Sequence, residues 1–228
     1  MRFLSAFLIL LSFTVNTYSQ ECKAYIPYEK GTKLEMTSYN QKDKVTGIIN
    51  QEVTDVKTED NSTIFSVHQK FEDEKGKNPM ETDMTFTCTG ETFLVDMNMY
   101  VNNEQMEAYK DMQVEVTTDQ LEVPFNYSPG QNLDDGTITI KLISGSPISL
   151  NFVISVINRK VEGKESITTP AGTFECLKLT QDIVTKAGFT ITMNSIEWYA
   201  EGVGVVRSES YKKGKLEGYT ELTKVIKP

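Results

Sequence analysis

Apolar and polar residues alternate one for one through much of this chain. No other feature restricts the fold as sharply, because a period of two lines one face of an extended strand and cannot make a helical stripe. Pro147 to Asn158 is the clearest case: Ile148, Leu150, Phe152, Ile154 and Val156 share one face, while Ser149, Asn151 and Ser155 dominate the other. The preceding run, Gly136 to Ile143, sets Ile138, Ile140 and Leu142 against Thr137, Thr139 and Lys141, and Ser144-Gly145-Ser146-Pro147 joins the two as a tight turn. Together they predict a β-hairpin.

The same pattern predicts strands at Lys33 to Tyr39, Thr46 to Val56, Ser62 to Phe71, Asp83 to Cys88, Thr92 to Asp96, Val114 to Val123, Arg159 to Thr168, Thr173 to Val184, Gly188 to Tyr199, Val203 to Tyr211 and Lys215 to Ile226. Val114 to Val123 reads as a small hairpin of its own about Thr118-Asp119. Thr169-Pro170-Ala171-Gly172-Thr173 is a turn, with Pro fixing φ and Gly free to take a positive one. Short strands at this spacing predict an all-β, antiparallel fold, either a strongly curved half-barrel or a sandwich. In Phe189 to Tyr199 the apolar face moves from Phe189, Ile191 and Met193 to Ile196 and Trp198, which one extra residue near Asn194-Ser195 would explain as a β-bulge. Gly202 and Gly204 suit close backbone packing or a corner after Trp198. One short helix is expected where Met97, Tyr100, Val101, Met106, Tyr109 and Met112 recur at three- and four-residue steps. Ser38 to Gly47 resembles Ser210 to Gly218 with one residue removed, an echo that either a duplication or two hairpins of similar turn chemistry produces.

Residues 1–19 have the layout of a secretory signal peptide: Arg2, an apolar run from Phe3 to Val15, and the small residues Thr17 and Ser19 before Gln20. The run is too short for a membrane span, and no later segment approaches one. Residues 20–228 then form one β domain, since no Pro/Ser-rich linker or low-complexity stretch divides them. The exported chain is expected to be a soluble periplasmic or secreted protein. A formal net charge of −9 argues against nucleic acid and anionic membrane surfaces, which repel such a chain.

Cys22, Cys88 and Cys176 are too few and too far apart for a zinc site or a cysteine-rich scaffold. An oxidising compartment favours one disulfide. Cys88 shares a strand face with Met84 and Phe86, and Cys22 lies where a new N-terminus would gain from a tether, so Cys22 with Cys88 is preferred over the other pairings. Ser19-Gln20-Glu21 departs from the pattern that precedes a lipid-bearing cysteine.

No nucleophile elbow, zinc-protease helix or phosphate-cradling glycine loop occurs. His68, the one histidine, falls with Ile64, Ser66 and Lys70 on the wetter strand face, a surface place and not that of a catalytic base. Glu72-Asp73-Glu74 opens a solvated hairpin loop, Asp134-Asp135-Gly136 is a turn, and neither has the spacing of a calcium loop. No catalytic residue, metal or cofactor is therefore assigned. Met80, Met84, Met97, Met99, Met106 and Met112 crowd one region with Tyr100 and Tyr109. Methionine either fills irregular gaps in packing or lines adaptable apolar surfaces. The ligand-binding candidates are Met97, Tyr100, Met106, Tyr109 and Met112, with Phe152 from the facing strand.

Glu165-Ser166-Ile167-Thr168-Thr169-Pro170-Ala171-Gly172-Thr173-Phe174-Glu175-Cys176, then Trp198-Tyr199-Ala200-Glu201-Gly202-Val203-Gly204-Val205-Val206-Arg207 and Gly218-Tyr219-Thr220-Glu221-Leu222, resemble the TapB-like family of exported Gram-negative envelope proteins, related to a widespread domain of unknown function. Cys22 with Gly31, and Cys88, fit the same pattern. The resemblance implies a β-rich envelope protein with no established enzyme activity, and it transfers no catalytic residue. The expected role is a non-catalytic module that binds an apolar small molecule or another envelope component. A hydrolase of glycans or lipids and a purely structural assembly factor are the alternatives. N-terminal sequencing of the exported protein should return Gln20 as the first residue; retention of Met1 would refute the leader assignment.

Overall fold

The computed structural model describes residues 22, 24–77, 79–100, 113–143 and 149–228, and over these the chain is one antiparallel sheet of 13 strands. The strands are β1 (Lys33–Asn40), β2 (Val45–Glu59), β3 (Ser62–Asp73), β4 (Met80–Cys88), β5 (Thr92–Asp96), β6 (Gln113–Thr118), β7 (Gln120–Pro124), β8 (Gly136–Ile143), β9 (Ser149–Thr169), β10 (Gly172–Lys186), β11 (Thr190–Ala200), β12 (Gly204–Lys212) and β13 (Lys215–Ile226). Their order across the sheet is β6-β8-β9-β10-β11-β12-β13-β1-β2-β3-β4-β5-β7.

The two outermost strands, β6 and β7, are successive in the chain and separated by Asp119 alone. One residue cannot span a flat sheet of this width, so the sheet must curl until its edges nearly meet. Asp119 pins the junction: its N–H donates to the Thr137 carbonyl at 3.0 Å, and its Oδ2 accepts from the Thr137 N–H at 2.9 Å. The result is a nearly closed, barrel-like sheet, which decides for the curved half-barrel over the sandwich. The hairpin expected about Thr118-Asp119 is absent, because β6 pairs with β8 and β7 with β5.

The expected β8–β9 hairpin forms, with Ile140 opposite Phe152 and Ile138 opposite Ile154. The turn expected at Ser144 to Pro147 lies outside the described residues. The two segments expected either side of Asn158 are one 21-residue strand. Asn158 takes a φ of 54°, and the pairing with β10 shifts between Thr180 and Asp182. That irregularity reverses the strand's parity: Val156 points inward before it, Arg159 and Val161 after it. The turn at Thr169–Gly172 is as predicted, with Gly172 at φ 137° and Thr169 Oγ1 accepting from the Ala171 N–H at 3.2 Å. Of the expected helix, a 3₁₀ turn at Met97–Tyr100 is present; the remainder, with Met106, Tyr109 and Met112, lies outside the described residues. The echoing segments are the β1–β2 and β12–β13 turns, which lie side by side because β13 pairs with β1, and Tyr39 stacks on Tyr219 at 4.9 Å.

Phe65, Val67, Phe93, Ile138, Leu142 and Val161 belong to a core cluster drawn from both flanks of the sheet, β2–β5 and β7 on one side and β8–β11 on the other, so it fills the inside of the curl between them. A smaller cluster holds Leu34, Met36, Trp198, Val206 and Leu222. Ala24, Tyr25 and Ile26 are buried in the first cluster. Tyr25 meets Phe93 and Tyr199 edge-on, at 6.0 and 5.8 Å between ring centroids. A Cys22–Cys88 disulfide ties this segment to β4, with Cys176 left free and buried, as the sequence suggested.

The bridge closes a separation of 66 residues, so replacing both cysteines with alanine should lower the unfolding free energy by about 2 to 4 kcal/mol. Denaturant titration beside the parent measures this, and unchanged stability would show that the bridge contributes nothing.

Candidate functional site

On β11 the pairing with β10 runs without a break from Thr190 to Ala200. The expected bulge near Asn194-Ser195 is therefore absent; the register shift falls between Trp198 and Tyr199, against β12. The strand keeps its period and buries both faces. Trp198 and Ala200 join the smaller cluster, while Tyr199 joins the interior one. Ser195 and Glu197 share the interior face, and their polarity is what made the apolar pattern change sides.

Glu197 is 9 % exposed and saturated with donors. Its Oε1 accepts from Gln181 Nε2 at 3.1 Å and from Ser195 Oγ at 3.3 Å, and its Oε2 accepts a short hydrogen bond from the Tyr199 hydroxyl. Gln181 Nε2 also donates to the Tyr100 hydroxyl at 3.4 Å. Burial pushes the Glu197 carboxyl above its usual range, against the opposing pull of Tyr199, Ser195, Arg159 and Gln181. Burial likewise raises both the Tyr199 and Tyr100 phenols, and the nearby Glu197 charge adds to each.

Arg159 is the cation of this interior, 3 % exposed. Asn158 turns it inward. Its two terminal nitrogens donate to main-chain oxygens, Nη1 to Asp134 at 2.6 Å and Nη2 to Glu122 of β7 at 3.0 Å. Nε is buried without a hydrogen-bond partner. Burial lowers the guanidinium's affinity for its proton, while Tyr199, Tyr100, Glu197 and Asp135 oppose the shift. A carboxyl group, a guanidinium and two phenols thus share a buried interior, where they brace one another.

Beside this interior, and sharing Tyr199 with it, lies a cleft of about 380 Å³, lined by Tyr25, Tyr127, Phe174, Leu177 and Tyr199 with Lys164, Glu175 and Glu201. A second cleft of about 430 Å³ is lined by Phe125, Asn126, Tyr127, Ser128, Gln131 and Lys164. Tyr127 and Lys164 line both, so the two are lobes of one groove. Volumes of this size are those of small-molecule sites. Tyr199 carries two jobs: its ring walls the cleft while its hydroxyl is held by Glu197. Gly202 allows the Tyr25 wall to seat. Its N–H donates to the Ala24 carbonyl at 2.9 Å, its φ is 69°, and a Cβ there would lie 2.8 Å from the Tyr28 ring. Burial raises the Tyr25 and Tyr127 phenols, and Glu201 raises both further, which sets its carboxylate near the two rings.

Of the sequence candidates, Met97 is fully buried, and Tyr100 and Phe152 are partly buried against the same interior cluster. The structure brings these three to one core, and none of them is among the lining residues of the two described clefts. His68 is a surface residue, its Nδ1 2.8 Å from Asp83 Oδ1 and its Nε2 3.8 Å from Glu81. Burial holds the Cys176 thiol up at about 11, an unreactive state. No group of three or more metal-ligating side chains occurs among the described residues. Sequence reasoning missed Arg159, Glu197 and the Tyr25–Tyr127–Lys164 groove. The one available signal for Glu197 was the broken apolar face of β11.

A raised carboxyl pKa means that the folded state holds the Glu197 proton more tightly than the unfolded chain does. Its stabilising contribution is complete below the ordinary carboxylate range and is lost as pH rises through the raised value. Glu197→Gln should therefore flatten the fall in Tm above that range, read from melting curves at a series of pH values. An unchanged pH profile would contradict the assignment.

The DUF3108-like family model matches residues 29–222. A Bacteroides fragilis protein described as exported, with a YmcC-like fold, superposes with a TM-score of 0.74 at 25 % identity, over 90 % of this chain and 100 % of its own. A Parabacteroides distasonis protein described as a lipoprotein gives 0.75 at 24 % identity, over 91 % and 100 %. No curated protein matches. Since the family match spans most of the sequence and these two structures share the barrel-like fold, the chain belongs to the DUF3108-like family.

Proposed function

We propose that this protein is a non-catalytic binding module of the bacterial envelope, and that the groove beside Tyr25 is where it takes a small amphipathic molecule. The carrying observation is the state of the lining. Aromatic rings from Tyr25, Tyr127 and Tyr199 form the walls, while the side chains of Lys164, Glu175 and Glu201 make no hydrogen bond or ion pair among the described residues. All three are exposed at the rim of an aromatic-walled cleft, so their charges are open to a ligand that the rings hold. Export is supported by the leader pattern of residues 1–19 and by the description of the Bacteroides fragilis relative. The finer resemblance to TapB-like proteins agrees with an envelope address. Cys22 is engaged with Cys88, so its sulfur is not open to a lipid thioether.

The expected outcome is a small molecule co-purifying with full-length protein isolated gently from its own host, seen by native mass spectrometry and depleted in Tyr127→Ala. Turnover of a glycan or lipid ester that Glu175→Gln or Glu201→Gln abolishes would replace the binding reading with a hydrolase.

A further inference from the structure

The two lobes of the groove differ in charge. Glu175 and Glu201 stand in the lobe that contains Tyr25, Phe174 and Tyr199, whereas the other has no carboxylate and is lined by Asn126, Ser128 and Gln131. Lys164 lies on the wall common to both. An organic cation is attracted to the faces of aromatic rings and to a nearby carboxylate, and these attractions are stronger where water is partly excluded. An ammonium side chain beside uncharged amide and hydroxyl groups suits an anionic oxygen instead. A simple cation would meet the repulsion of Lys164, and a simple anion that of Glu175 and Glu201.

We propose that the groove recognises a zwitterion, with the ligand's ammonium group seated among Tyr25, Tyr127 and Glu201 and its anionic group drawn to Lys164. This rests on the binding reading and adds to it the chemical class of the ligand. Three features of the groove converge on it. The lobes adjoin at Tyr127 and Lys164, which line both, so one short molecule can reach from one to the other. The Tyr25 and Tyr199 rings stand at 70° to one another, giving a corner in place of a flat wall. The charged groups of the lining have no internal partners among the described residues that a ligand would need to displace.

Glycerophosphoethanolamine is a suitable probe, and isothermal titration of the full disulfide-bonded chain can compare it with its halves, ethanolamine and glycerol phosphate. The whole zwitterion should bind at least about tenfold more tightly than either half, and added salt should weaken it. Lys164→Met should bring its affinity down to that of ethanolamine, and Glu201→Gln to that of glycerol phosphate. Both side chains are exposed, so melting curves should match the parent. Binding to vesicles rich in phosphatidylethanolamine but not to pure phosphatidylglycerol would identify a lipid headgroup as the source, and binding of the free zwitterion alone a soluble solute. Halves that bind as well as the whole, or variants without effect, would overturn the zwitterion proposal. An uncharged apolar probe that binds and is lost in Tyr127→Ala would then leave the groove's binding role standing, and no binding of any probe would remove both.

Discussion

A sheet whose outermost strands are joined by one residue has to turn its unsatisfied edge inward, and the groups on that edge need donors that water cannot reach to supply. Arg159 provides them. Its guanidinium spans the seam, donating to Glu122 on β7 and to Asp134 ahead of β8. The 130–134 segment completes the closure along β9, with Gly130 N–H donating to the Val161 carbonyl at 2.7 Å and Leu133 N–H to that of Arg159 at 2.9 Å. A charge so placed is costly to desolvate, and Glu197 and the two phenols near it offset part of that cost. The polar interior is thus the consequence of how the curl is shut. Removing the guanidinium would strand two main-chain carbonyls.

The faces of β11 show what the same constraint does to the sequence. Where a strand is wet on one side, apolar residues mark the core. Here Trp198 and Ala200 bury one face in a second cluster, while the first core accepts Ser195 and Glu197 because Gln181, Tyr199 and Arg159 surround them. An apolar pattern that changes sides was therefore a mark of two cores, where sequence alone suggested a bulge. The true irregularity on β9 is at Asn158, whose left-handed φ was open to suspicion only as a residue type that tolerates that region.

Local chemistry was otherwise easy to read. The β8–β9 register follows from matched apolar runs, the 169–172 turn from Pro170 and Gly172, and the pairing of Cys22 with Cys88 from the inward face of β4. What could not be read was long-range. Gln120 to Pro124 pairs with β5, and Gln113 to Thr118 with β8, although the two segments look like the arms of one hairpin. Nothing within them specifies that Asp119 is a seam and not a turn. The groove was hidden for the same reason, since Tyr25, Tyr127, Lys164 and Tyr199 come from four separate stretches and meet only when the sheet has curled.

The Tyr25 wall is a side chain on a short leash. It lies three positions along the chain from Cys22, a reach of roughly 10 Å at full extension, and Cys22 is bonded to β4. Should the ring leave its seat between Phe93 and Tyr199, it remains confined to a small volume around that seat. Its return is then governed by a high effective concentration and not by a search along a free chain end. A wall tethered in this way breathes and recloses, and the groove keeps its outline through local openings that would dismantle one built from an untethered terminus.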